Sequence, residues 1–174
     1  MTQQMPSYPD EADVRAVCDS VTSAFLAFEP IEPAQLEVGQ LTNRPDIMTG
    51  CVMMGGAFDG AVRVRGNGAL ARHVAESIFG DADGPLSEVD VRDAWAELTN
   101  IVGGNIKSLF STLHGSICRL TLPVVAEGAI TIPGSTLLYE IACHCGSQRL
   151  EIAVFKTPPS PRPDGQPSAQ RRTP

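Results

Sequence analysis

Glu97 and Asn100, one helical turn apart, are the residues of this chain whose types and spacing best suit chemistry. A carboxamide donates and accepts hydrogen bonds without titrating near neutral pH, so it can hold a water molecule, while a carboxylate can pair with a cation. Both lie in the run Asp93-Ala94-Trp95-Ala96-Glu97-Leu98-Thr99-Asn100-Ile101-Val102-Gly103-Gly104-Asn105-Ile106-Lys107. At about 100° per residue, Val91, Leu98, Val102, Ile106, Leu109 and Leu113 gather on one side of a helix with Trp95 beside them. That side is the expected core. Asp93, Glu97, Asn100, Gly104 and Ser111 form a narrow stripe opposite, with Lys107 at its edge. A solvated helix face is usually filled with strong helix formers. Here Asn100 is a mediocre one, and Gly103 and Gly104 each cost about 1 kcal/mol relative to alanine. Such a bare face admits another protein's surface close to Glu97 and Asn100. Paired glycines serve close helix packing or a kink equally well, so both readings stand.

A second group, Cys143-His144-Cys145, invites a metal or redox reading. The segment from Leu137 to Cys145 alternates like a strand, which puts the two thiols on one face and the imidazole on the other. No second Cys or His pair accompanies it, so these are read as strand residues and no metal site is expected. The chain has five cysteines, an odd number widely spread, which fits free thiols better than a disulfide framework.

The composition narrows the partners. Of 174 residues, 43% are hydrophobic and 19% charged, and the formal net charge is −7. An acidic chain without clustered Lys and Arg is not expected to bind nucleic acid or an anionic membrane surface. No run approaches the roughly 20 apolar residues that cross a bilayer. The first cation is Arg15 and no apolar stretch follows Met1, so a cytoplasmic location is expected.

The elements that must position the Glu97 helix follow from periodicity. Residues 1–9 are polar with prolines and are expected to be disordered, as is 157–174, which holds six of the fourteen prolines. The folded domain is then 10–156. A first helix opens at Asp10 with Val14, Val17, Cys18, Val21, Phe25 and Phe28 on one face, and ends at Pro30 and Pro33. Met48 to Met54 and Ala61 to Arg65 read as a hairpin around Ala57-Phe58-Asp59-Gly60. Asn67 caps a short helix stopped by Gly80, and Ser87 with Asp90 makes a capping-box start to a helix reaching Leu113. Three strand runs follow: Cys118 to Val124, then Tyr139 to Cys145 and Leu150 to Val154. The expected class is α+β, with long amphipathic helices on a mainly antiparallel sheet. Each hairpin follows a long helix, the pattern of a diverged internal duplication.

The Asp93 to Lys107 run resembles the motif helix of the CheC and CheX chemotaxis phosphatases, in which an acidic residue precedes Glu-x-x-Asn, a glycine and often a basic residue. Leu122-Pro123-Val124-Val125 with Gly128 is similar to the Pro-x-Val segment that follows that helix. The first helix offers only Asp19-Ser20-Val21-Thr22 at the comparable place, so the likeness is to the one-motif CheX type. The resemblance implies hydrolysis of the aspartyl phosphate on a CheY-like receiver domain. It implies that Asn100 orients the attacking water and that Glu97 pairs with a lysine of the receiver. Asp93, Gly104 and Lys107 become candidate partner contacts. It implies no cofactor of the chain's own, with Mg²⁺ held by the receiver, and it admits a homodimer. The same fold also serves non-enzymatic flagellar-switch adaptors, which is the alternative.

Overall fold

Alternation at Met48, Gly50, Val52 and Met54 and at Val62 and Val64 builds the central hairpin of the molecule. A computed structural model describes residues 8–26, 29–30, 46–80, 84–145 and 147–159. Its elements are α1 (Glu11–Leu26), β1 (Glu29–Pro30), β2 (Ile47–Gly56), β3 (Gly60–Asn67), α2 (Gly68–Phe79), α3 (Glu88–His114), β4 (Cys118–Leu120), β5 (Val124–Glu127), β6 (Thr136–Cys145) and β7 (Gln148–Lys156). The strands form one sheet in the order β1-β6-β7-β3-β2-β4, with β5 also on β2. Every pairing among the described strands is antiparallel. The expected α+β architecture is therefore present: three helices on a mainly antiparallel sheet. Phe28 and Pro33 lie outside the described residues.

The main core lies between the helices and one sheet face. Val52, Met54, Val62, Val64, Ile141, Ile152 and Val154 meet Val14, Leu70, Val74, Trp95, Leu98 and Phe110 there. Ahead of α1, the Tyr139 hydroxyl donates to the Pro9 carbonyl, and Tyr8 packs edge-on to Phe58. The opposite sheet face carries a smaller cluster of Cys51, Ala61, Ala153 and Phe155, with Ile130 and Ile132 against it. Arg65 and Arg149 lie on that face too, 2.9 and 3.0 Å from the carboxylate of buried Glu151. The guanidinium of Arg63 sits over the Phe155 ring.

Two expectations change. The single strand from Cys118 to Val124 is two strands, because the chain leaves β2 at residues 122–123. The Thr121 N–H donates to the Met53 carbonyl (3.0 Å), while its hydroxyl accepts from the Met53 N–H (3.1 Å). Pro123 has no N–H for the ladder, so the regular pairing lapses there and resumes at Val124. The expected duplication is not confirmed, and at the place on α1 comparable to the Glu97 motif Thr22 is buried, its hydroxyl donating to the Cys18 carbonyl at 2.8 Å.

Burial pushes the Cys18 thiol up to about 12 from its usual 9.0, with Cys143 adding to the effect. A raised folded-state value stabilises the fold fully below pH 9 and loses that contribution as pH climbs towards 12. The unfolding free energy from urea titrations should therefore fall above pH 9, by roughly 1 kcal/mol per pH unit from this group. In Cys18→Ala the decline should be shallower; an unchanged slope would remove Cys18 as its source.

Candidate functional site

The helix that carries Glu97 and Asn100 is fixed at both ends. Ser87 Oγ accepts from the Asp90 N–H (3.2 Å), and the Asp90 carboxylate accepts from the Ser87 N–H (2.8 Å), completing the capping box. Hydrogen bonds from the Ser87 side chain and backbone hold the Asp90 carboxyl below its ordinary value. Gly115 closes the other end in the left-handed region (φ 59°), its N–H on the Ser111 and Thr112 carbonyls.

Between the ends, contacts spaced four residues apart set the rotation of α3 about its axis. Trp95 lies over Gly66, where a β-carbon would meet its ring at 2.7 Å. Thr99 lies over Gly50, where a β-carbon would overlap the threonine side chain. Gly103 lies over Val52, and a β-carbon on Gly103 would approach Val52 Cγ2 to 2.5 Å. Small residues thus sit opposite large ones in each layer, and helix and sheet come unusually close. Thr99 is fully buried and donates to the Trp95 carbonyl at 2.7 Å.

With that side locked down, the opposite stripe points outward. Asp93, Glu97 and Asn100 are exposed, while Gly104 and Lys107 are half-buried. A β-carbon on Gly104 would meet nothing within 4 Å. The two glycines therefore have different roles. Gly104 keeps the outer face bare, as expected, but Gly103 is buried and belongs to the helix–sheet seam.

Two core assignments on the helix also shift. Leu109 is only half-buried and Leu113 is 42% exposed, while Phe110 is fully buried. The reason is Phe58 in the β2–β3 turn. It stacks on Phe110 at 4.2 Å and draws the last turns of α3 towards that flank, with His114 next in the stack.

Polar side chains around the stripe are turned to their own helix. Asn105 donates to the Ile101 carbonyl (2.9 Å), Ser108 to that of Gly104 (2.9 Å) and Thr112 to that of Ser108 (3.0 Å). Glu97 and Asn100 keep their side-chain groups clear of such bonds among the described residues. The face thus offers a carboxylate and a carboxamide one turn apart, with a flat approach over Gly104. Sequence reasoning missed two contributors. Ser108 prolongs the small-residue face and was detectable four residues beyond Gly104. Thr99 was passed over, because only the strand beneath it reveals its positioning role.

Cys143 is buried and His144 half-buried on β6, with their side chains on opposite faces. Among the described residues no three His, Cys, Asp or Glu side chains form a group able to hold a metal ion. No described helix is long and apolar enough to cross a membrane.

The family model for the chemotaxis phosphatase CheX matches residues 48–137, from β2 to the start of β6 and including all of α3. No curated protein sequence matches the chain. Among solved structures, the CheX chemotaxis protein of Vibrio vulnificus is similar over 87% of this chain and 99% of its own, at 20% identity and TM-score 0.63. CheX from Desulfovibrio desulfuricans is similar over 82% of this chain and 95% of its own, at 20% identity and TM-score 0.62. The CheX–CheY–BeF3–Mg²⁺ complex from Borrelia burgdorferi covers 83% of this chain and 96% of its own, at 19% identity and TM-score 0.60. At such identities these structures speak to the fold, while the family model spans half of the chain. The chain belongs to the CheX family of chemotaxis phosphatases.

Proposed function

We propose that this protein hydrolyses the aspartyl phosphate of a CheY-like receiver domain, with Asn100 and Glu97 as the residues that act. The observation that carries the reading is the exposed Glu97–Asn100 pair, held on a rotationally fixed helix in a chain of the CheX family. The complex of the Borrelia burgdorferi relative with CheY supports the choice of partner.

An acyl phosphate is already a reactive mixed anhydride, so a catalyst needs mainly to place a water in line and to hold the reacting groups in register. The Asn100 carboxamide enters the receiver's site and orients that water by accepting from it, while its NH₂ donates to a phosphoryl oxygen. The water attacks phosphorus, the bond to the aspartyl oxygen breaks, and the products are inorganic phosphate and the free carboxylate. Glu97 pairs with a lysine lining the receiver's site and fixes the docking pose. The Mg²⁺ that neutralises the phosphoryl charge belongs to the receiver. Asp93, Gly104 and Lys107 form the rim of the contact. The reaction takes place in the cytoplasm, and a homodimer would present two such faces.

The test is direct. A panel of receiver domains is phosphorylated with acetyl phosphate, and phosphate loss is followed with this protein at catalytic amounts. Faster loss for at least one receiver is expected. Binding without acceleration across the panel would instead make the protein an adaptor.

A further inference from the structure

Residues 122–123, where the chain bulges away from β2, lie beside the candidate active face. The register fixes their level. Leu120 Cδ1 would be 3.6 Å from a β-carbon on Gly103, and Val125 pairs with Gly50, which lies beneath Thr99. The bulge between them is thus abreast of residues 99–103 of α3. On the helix, Asn100 comes three residues before Gly103 and lies about 60° around the axis from it, on the side of the open flank. Leu122 therefore stands at the side of the surface that presents Asn100.

Leu122 is 86% exposed, the most exposed of the large hydrophobic residues among those described. A single exposed leucine is ordinary on a protein surface. This one has three further properties. It is held firmly, since Thr121 bonds to both the N–H and the carbonyl of Met53 and its hydroxyl also donates to the Leu122 carbonyl at 3.1 Å. It is followed by Pro123, which stiffens the chain where an apolar tip projects. It also has apolar company at the same edge of the sheet, where Ile117 is 75% exposed, while Val124, paired with Cys51, faces the other side. Edge strands are usually guarded by charge, which Arg119 and Glu127 supply at the two ends of this edge, while residues 120–126 between them carry none. A rigid apolar tip costs little conformational entropy when a partner covers it.

We propose that Leu122 is a second docking contact for the receiver domain, one that sets affinity and choice of receiver while Asn100 sets the rate of phosphate loss. The inference rests on the receiver-phosphatase reading. A receiver seated on Asn100 across bare Gly104 extends over the neighbouring edge strand, so the apolar tip is continuous with the catalytic contact. The receiver surface that meets it should carry an apolar patch beside its phosphorylation site.

The experiment is a steady-state analysis of receiver dephosphorylation by wild type, Leu122→Ser and Leu137→Ser, with sedimentation and thermal melting of each. Leu137 is also exposed, but lies on β6, three strands away from β2. Leu122→Ser should raise KM about tenfold with kcat changed less than about twofold, as expected for losing one buried leucine contact at an interface. Leu137→Ser should leave both unchanged, and melting should be the same for all three proteins. An unaltered KM in Leu122→Ser, beside an active wild type, overturns the proposal while the phosphatase stands. A raised KM that tracks loss of a dimer in sedimentation also overturns it, since a second copy would then be the occupant. A wild type inactive on every receiver overturns the functional reading, and this contact with it.

Discussion

Replacing Asn100 by alanine is expected to lower receiver dephosphorylation by about 10²-fold or more, through kcat, with little change in stability. The side chain is exposed and makes no bond within the protein among the described residues, so its removal takes nothing from the fold. Its loss leaves the water beside the acyl phosphate without an acceptor to orient it. Asn100→Asp provides a stringent comparison. The carboxylate can still accept from the water, but brings a negative charge beside a phosphoryl group and cannot donate to it, so it should restore little. Glu97→Ala should differ in kind, raising KM more than it lowers kcat, because that carboxylate fixes the pose. Rates measured over a range of receiver concentrations check all three. Activity that survives both alanine substitutions would keep the family and discard the site.

Adjacent glycines should behave oppositely. Gly103→Val forces branched carbons into a space where even a β-carbon would approach Val52 Cγ2 to 2.5 Å. Val52 is fully buried on β2 and has no room to move aside. Overpacking of this kind costs about 1–3 kcal/mol or more, and the helix must lift or rotate to relieve it. Gly104→Ala meets no neighbour within 4 Å and replaces a poor helix former with the best one. It should stabilise the protein by up to about 1 kcal/mol. The same methyl stands in the path of a docking partner, so Gly104→Ala should also weaken receiver turnover. Urea denaturation alongside dephosphorylation rates reads both effects. Equal destabilisation by the two substitutions would show that the distinction between the glycines is mistaken.

Much of the molecule was legible in the sequence where the signal is local. Asn67 capping α2, the Ser87–Asp90 box and the alternation of Val62 with Arg63 depend on residues within one turn or one strand. Glu97 and Asn100 were legible for the same reason, since a helix displays residues three apart on one face. What escaped needed a second element. Gly103 and Gly104 look alike until Val52 lies under one and nothing faces the other. Leu113 fits the helical period better than Phe110, and only Phe58, arriving from a distant turn, reverses that choice. The break between β4 and β5 depends on Thr121 finding Met53, a partner 68 residues away. Arg63 and Arg65 alternate with the valines in the sequence itself, but the Glu151 that makes burial of Arg65 tolerable comes from β7.

The seam of Trp95, Thr99 and Gly103 over Gly66, Gly50 and Val52 also bears on signalling time. Interlocked at three successive turns, the middle of α3 cannot swing or fray while β2 and β3 remain paired, so helix and sheet open as one cooperative unit. The protein therefore presents Glu97 and Asn100 in one fixed arrangement. For the proposed reaction it acts as a constant drain on the phosphorylated receiver. For that reaction, the lifetime of the phosphorylated receiver would be set by the copy number of this protein and its affinity for the receiver.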